Sequence, residues 1–558
     1  MARPAPTFQS WLDDFFAAYY RRRPVNATFI GVHAYDNRLP DFSESGCGDM
    51  LAEITSLRRQ LAQIPPAGLN QAETTDRLLA DGFLEIQEWE LNSQHFQQGN
   101  PSLYTGEAAF GIISLLRRPF APAEERITAV AERMTQLPAL FEQAQANIKM
   151  APGAWTERAI TETTGILALL ESGLDLFLQA NHLPDRPWDA VKEQAVKAVG
   201  DFQHYLATEL RQRPTEHYDC GAEAFDRLLK RGYFLDQDAA TIAEFACEQM
   251  AVNTAYLEEH ARDFGAQHWS EALAQLTTLY PSVDHYYARY AELWTACRAT
   301  TDEHHVLTWP DYPVEYMPRP LWSREAAAQL YFLFYHSPAP FDHLPSVEYL
   351  VTPIEPTLSQ DEQIRLLRAN NDSVIKLNHV VHHGALGHHI QNWHAFRASS
   401  RIGQVAVVDC ASRIAMFCGG TMTEGWACYA TDLMDEIGFL TPLEQYSQYH
   451  GRLRMAARAV VDVELHHGRM SLDQATDFYC EQVGMTAGAA RTEAVKNSMF
   501  PGTGLMYLMG TESIHQLRRD LATRPGFDLR AFHDRFLSYG SIPVALIAQA
   551  MRKEFLNA

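Results

Sequence analysis

Five imidazoles fall within eleven residues, at His379, His382, His383, His388 and His389, in a chain of 558 residues that holds 23 His altogether. Imidazole is the commonest protein ligand for zinc and iron, and two His from one helix with a carboxylate from the next form the ligand set of many metallohydrolases. The following apolar run supplies a carboxylate in Glu424-Gly-Trp-Ala-Cys-Tyr429. In an ordinary zincin helix the motif HExxH sets both His on one face, and the glutamate polarises the metal's water. Here the spacing is longer. Beyond the adjacent His383, the next histidines stand six and seven positions from His382, with Gly384 and Gly387 between. Each glycine weakens a regular helix by roughly 1 kcal/mol relative to alanine, so a widened turn that re-aims one imidazole is expected. A regular helix returns to within about 20° of its start after seven residues, which selects His389, whereas His388 requires the bulge. The residue after His382 is His383, where a hydrolytic site of this type carries glutamate. His379 and His394 read individually as structural.

The pattern resembles a large, mainly bacterial family of uncharacterised metallopeptidase-like proteins that carry HExxPGHH followed by EGWAxY. The corresponding residues are His382, His383, Leu386, Gly387, His388 and His389, then Glu424 to Tyr429. The similarity runs from Arg23-Pro-Val-Asn-Ala-Thr-Phe-Ile-Gly31 to Phe527-Asp-Leu-Arg-Ala-Phe-His-Asp534, nearly the whole chain. It implies a mainly helical, single-body fold with a gluzincin-like metal site between helices. His382, His388 and Glu424 would hold zinc, or alternatively iron, with His389 as the other choice for the second imidazole. From the residues alone, Glu424 reads equally as a helix-terminal glutamate facing the macrodipole after Gly419-Gly420. The chain departs from the family at His383, which replaces glutamate, and at Leu386, which replaces proline. Loss of a general base removes a group worth roughly 100- to 10,000-fold in rate.

Arg454, Arg458, Asp462 and His466 recur every four residues, a step that drifts only about 40° on a helix. By spacing alone the row reads as a solvated stripe of ion pairs. The family carries a similar RxxxRxxxDxxxH pattern, which implies that Asp462 orients His466 while His466 or Arg458 steadies an oxyanion or a substrate carboxylate. Pro501-Gly-Thr-Gly504 and Tyr507 resemble the family's PGQAxxY segment, whose tyrosine would donate to an oxyanion. Lys496 stands where an arginine is expected, which blurs a planar carboxylate clamp.

The elements that must position these groups are mostly helices. Val191, Ala195, Val199, Phe202 and Leu206 lay one apolar stripe along a helix. Similar helices are predicted near 49 to 64, 71 to 97, 122 to 148, 155 to 181, 238 to 264 and 283 to 302, with Pro138 kinking or ending its own. The region 305 to 357 differs: His305 to Pro310, Val314 to Met317 and Val347 to Thr352 are short, β-branched or aromatic and punctuated by proline, as in a small sheet or extended arms. Every chemical candidate lies beyond it. The chain therefore divides into a helical N-terminal half, 1–304, and a metal-site half, 305–558.

Composition narrows the function further. With 46% apolar and 21% charged residues the chain buries a sizeable core. A net charge of -23 repels phosphate backbones and anionic lipid headgroups, so neither nucleic acid nor a membrane surface is an expected partner. No run reaches the roughly 18 to 20 apolar residues of a membrane span; the tract from Val405 to Phe417 is broken by Asp409, Ser412 and Arg413. The first residues lack an apolar signal core, so a cytoplasmic protein is expected. Eight cysteines, Cys410 among them, are scattered without a CxxC and read as small buried hydrophobes. No nucleophile elbow, Walker loop or Rossmann fingerprint occurs in the required context. The expectation is a metal-dependent hydrolase acting on a short peptide or other small amide, with His383 as base in place of glutamate. The alternatives are a non-haem iron oxygenase or lyase, or a non-catalytic ligand-binding relative. Oligomeric state is not readable.

Overall fold

The computed structural model describes residues 7–184, 188–330, 339–406 and 415–557. Cys410 and the Asp409, Ser412 and Arg413 that break the apolar tract lie outside them, as does the 331–338 part of the region read as extended. Helices dominate, with a small sheet element. The stripe beginning at Val191 forms the helix Asp189–Thr208, on which Ala195, Val199, Phe202 and Leu206 are buried. Burying each of the three larger side chains contributes roughly 1.5–3 kcal/mol. The stretch from 122 to 148 divides into Ala123–Met134 and Leu137–Asn147. Pro138 falls in the first turn of the second helix, where its missing N–H has no intrahelical partner to lose.

The extended region yields one parallel pair, Val314–Pro318 with Val347–Val351, in register from Val314 opposite Val347. His305 to Pro310 is not a strand. His305 takes a φ of 51° just after the helix Tyr286–Glu303 ends, and the chain leaves it as irregular backbone. A second parallel pair of two residues each joins Ala151–Pro152 to Pro214–Thr215.

Two apolar cores form. The larger draws on both sides of residue 305, from Phe8 and Trp11 through Val306 and Leu307 to Val380, Leu386 and Trp426. The smaller is built around the helices Ala239–His260 and Pro442–His466, with Leu257, Leu453 and Val460 buried in it. The second of these helices starts at a capping box, Thr441 with Glu444, behind Pro442 in the first turn. Glu444 also receives the buried Lys376 ammonium at 2.7 Å, which pins the histidine-bearing segment to this helix end. Among the described residues no helix is long and apolar enough to cross a membrane.

Candidate metal centre

The segment Val374–Gly384 is wound as a π-helix, and the helix His388–Ala395 follows after a sharp break. Both glycines sit where a side chain has no room. A Cβ on Gly384 would meet the Tyr316 hydroxyl at 2.3 Å, and one on Gly387 would meet the His382 carbonyl oxygen at 1.9 Å. The widened turn expected from the glycines is thus present, and the chain folds back so that the two histidine segments face each other. Polar anchors hold the break in place: Trp294 donates to the Gly384 carbonyl and Trp426 to that of Leu386, each at 2.9 Å.

One ring nitrogen from each of His382, His383 and His388 lies within 4.8 Å of the others. The Glu424 Oε2 stands 3.5 Å from His382 Nε2 and 3.9 Å from His388 Nε2. Glu424 projects from the helix Gly420–Glu436, which a contact too close for any Cβ, Gly425 against Gly510, locks to the helix Met506–Ala522. Metal–ligand distances of about 2.0–2.2 Å at a tetrahedral angle put donor atoms about 3.4 Å apart, so a small inward movement would bring these groups onto one ion.

Protonation fits the same reading. Burial lowers His388 to about 4 and pushes His383 well below the ordinary imidazole range, with the neighbouring imidazoles adding to it. Burial works to raise Glu424, but contact with His382 and His388 overrides it and holds the carboxyl at about 2. Neutral His388 and His383 beside an ionised carboxylate are the forms a divalent cation requires. His383 Nδ1 donates to the Asn378 carbonyl at 2.7 Å, which leaves Nε2 as the lone-pair atom.

The other expected residues are placed differently. His389 turns away: its Nε2 donates to the Tyr312 carbonyl at 2.7 Å and its ring stacks on Tyr312. His379 is paired with the Tyr349 hydroxyl at 2.6 Å. Arg458 and Tyr507 line the same cavity as His382, His383, His388 and Glu424, with a volume of about 1780 Å³. The Arg458 guanidinium lies over the Tyr507 ring, 4.8 Å from its centre, and is held bidentately by Glu493 at 2.7 and 3.0 Å. His466 does not reach the cavity. It is fully buried, stacked on Phe225 and donating from Nε2 to the Asn497 carbonyl at 3.0 Å. Asp462 Oδ1 stands 3.7 Å from His466 Nε2, beyond hydrogen-bond distance, and its carboxylate accepts three backbone N–H groups, from Gly502, Gly504 and Leu505 at 3.0, 2.8 and 3.0 Å. It therefore shapes the loop that delivers Tyr507. Two participants carried no sequence signal: the Asn378 carbonyl, a backbone atom, and Glu493, whose partner is 35 residues away. The cavity also takes in residues of the N-terminal half, among them Phe110, Glu157, Arg158 and Tyr218.

A mainly helical protein with a histidine and carboxylate cluster at the wall of one large cavity is the class these features define. The chain belongs to a family described as bacterial protein of unknown function, DUF885, which it matches over residues 24–551. Solved structures share the fold, among them two that align over almost all of this chain. One, described as a "putative lipoprotein of unknown function" from Shewanella oneidensis, is 22% identical with a TM-score of 0.77, covering 98% of this chain and 100% of that one. The other, described as a "putative lipoprotein" from Colwellia psychrerythraea, is 18% identical with a TM-score of 0.78, covering 99% of each chain. Among curated proteins none matches the sequence.

Proposed function

We propose that the protein is a metal-dependent hydrolase of the zinc metallopeptidase-like type, acting on a short peptide or another small amide. One observation carries this reading: a single carboxylate oxygen stands within 3.9 Å of two imidazole nitrogens, with a third imidazole beside them, at the wall of a cavity roomy enough for such a substrate. His382, His388 and Glu424 would hold the ion, zinc in the first place. When bound, such an ion supplies Lewis acidity, drawing electron density from oxygen atoms that coordinate it. His383 does the proton work. Its Nδ1–H is committed to the Asn378 carbonyl, so its Nε2 accepts the proton of the attacking water and returns it to the leaving amine. Arg458, rigid in its Glu493 clamp, and Tyr507 face the substrate side, where a guanidinium and a phenol donor steady developing negative charge.

The test is metal analysis of protein purified without added metal, followed by assays on a panel of short peptides and amides. Stoichiometric zinc with amide cleavage supports the hydrolase. A second reading draws on the place of His383 within ligand distance of its neighbours. Three imidazoles and one carboxylate also suit a non-haem iron oxygenase or lyase. Stoichiometric iron with oxygen-dependent turnover would select it and remove the hydrolase.

On location, the description of both solved relatives as lipoproteins favours a place at the cell envelope over the cytoplasmic one expected from the sequence.

A further inference from the structure

The wall of the cavity that holds the histidines also carries a guanidinium with no hydrogen-bonded partner among the described residues. Arg454 lies one helical turn before Arg458, lines the cavity and is exposed to it. It has no hydrogen bond and no ion pair with any described residue, although the neighbouring arginines are matched: Arg452 to Asp432 at 2.8 Å and Arg458 to Glu493 at both oxygens. Glu493 makes both of its hydrogen bonds to arginine with Arg458, and acts on Arg454 only through its charge. Lys496 stands on the same helix as Glu493, one turn on, and also lines the cavity. Arg454, Arg458 and Lys496 thus all act on the Glu493 carboxylate, in a protein whose net charge is -23. An arginine that faces the cavity with its N–H donors unpaired and a second guanidinium, Arg458, close by is set to receive an anion, and the arrangement makes sense where a ligand brings one. Glu424 and Cys428 are one turn apart on their helix and both line this cavity with Arg458, which sets the cationic wall and the histidine cluster in one space.

We propose that Arg454 is the specificity-determining residue of the cavity, binding a free carboxylate of the substrate, such as the C-terminal carboxylate of a short peptide. The planar fork of arginine fits a carboxylate through two parallel N–H bonds, a match that lysine does not reproduce. This deepens the hydrolase reading by naming a substrate class for the same cavity, and its test is chosen to stand apart from turnover.

The experiment measures binding by calorimetry to protein stripped of metal with a chelator, using N-acetyl-trialanine and its C-terminal carboxamide as probes. The free acid is expected to bind about tenfold or more tightly than the carboxamide in the parent. Arg454→Gln should bring the acid to the carboxamide's level, and Arg454→Lys should recover only part of the difference. The preference should persist in His382→Ala protein, so it holds even if no metal supports amide cleavage and the hydrolase reading falls. Equal binding of acid and carboxamide by the parent, including no binding of either, overturns the proposal. So does an acid preference that survives Arg454→Gln. Inorganic phosphate displacing the acid far better than acetate does would assign a phosphate instead and overturn it as well.

Discussion

His383 Nδ1 lies 2.7 Å from the carbonyl oxygen of Asn378, five residues earlier in the same π-helical segment. A carbonyl only accepts, so this bond fixes the tautomer and points the other ring nitrogen's lone pair away from the backbone. As a base, His383 is dispensable for holding an ion and indispensable for moving a proton. His383→Asn is therefore expected to retain about one metal per chain by mass spectrometry while kcat on a cleaved amide falls by about 100-fold or more. Loss of the metal together with the activity would make His383 a ligand and favour the iron reading.

The contacts from Glu424 Oε2 to His382 and His388 predict how the cluster fails. Glu424→Gln keeps the shape and removes the charge that neutralises a divalent ion. Metal affinity should drop by about two orders of magnitude, and so should the rise in melting temperature that zinc produces in the parent. His389→Ala, which removes the ring that faces Tyr312, should leave metal stoichiometry unchanged at a cost in folding stability, because the half-buried Tyr312 carbonyl loses its donor. Equal loss of metal in both variants would dismiss the proposed ligand set.

The helical body and a short extended element after residue 305 were legible in the sequence because periodicity and residue type report them directly, whereas Glu424 was singled out only by the family resemblance, since from the residues alone it read equally as a helix-terminal glutamate. The choice between His388 and His389 was not legible. It turns on the angular step per residue, and a π-helix followed by a break at Gly387 invalidates the regular 100° step on which spacing arguments rest. The row from Arg454 to His466 shows the same limit in a regular helix. A drift of about 40° at each four-residue step amounts to about 120° over the row. Arg454 and Arg458 therefore face the cavity, whereas Asp462 and His466 are fully buried. Partners such as the Asn378 carbonyl were invisible because they belong to the backbone.

Close packing at Gly387 gives a stability test with an internal control. A Cβ there would stand 1.9 Å from the His382 carbonyl oxygen, a backbone atom that cannot rotate aside. Gly387→Ala should destabilise by about 3 kcal/mol or more and disturb metal binding, since the strain falls on His382, one of the proposed ligands. Gly200, inside the helix Asp189–Thr208, has open space around its Cβ position. Gly200→Ala should stabilise by about 0.5–1 kcal/mol through helix propensity. Urea denaturation of the two variants reads both signs, and a neutral Gly387→Ala would mean that the sharp return between the histidines does not exist in solution.

Outside the cavity lining, His33 sits between two carboxylates, with Asp36 at 2.7 Å from Nδ1 and Asp342 at 2.8 Å from Nε2. Its ring stacks on Phe120. Burial alone would lower its pKa, but the hydrogen bonds to Asp342 and Asp36 outweigh burial and raise it to about 9. An imidazole whose folded value exceeds its unfolded value of about 6.5 binds a proton more tightly in the native state. Its contribution is therefore fully present below about pH 6.5 and is lost as pH rises through about 9. The contact joins residues 309 positions apart and also engages Arg118, 3.4 Å from Asp342, so its loss loosens a long-range tie. Denaturation midpoints of the parent and of His33→Gln should differ most near pH 6 and converge towards pH 9.5. A gap that stays constant across that window would show that the imidazolium does not hold the two aspartates together.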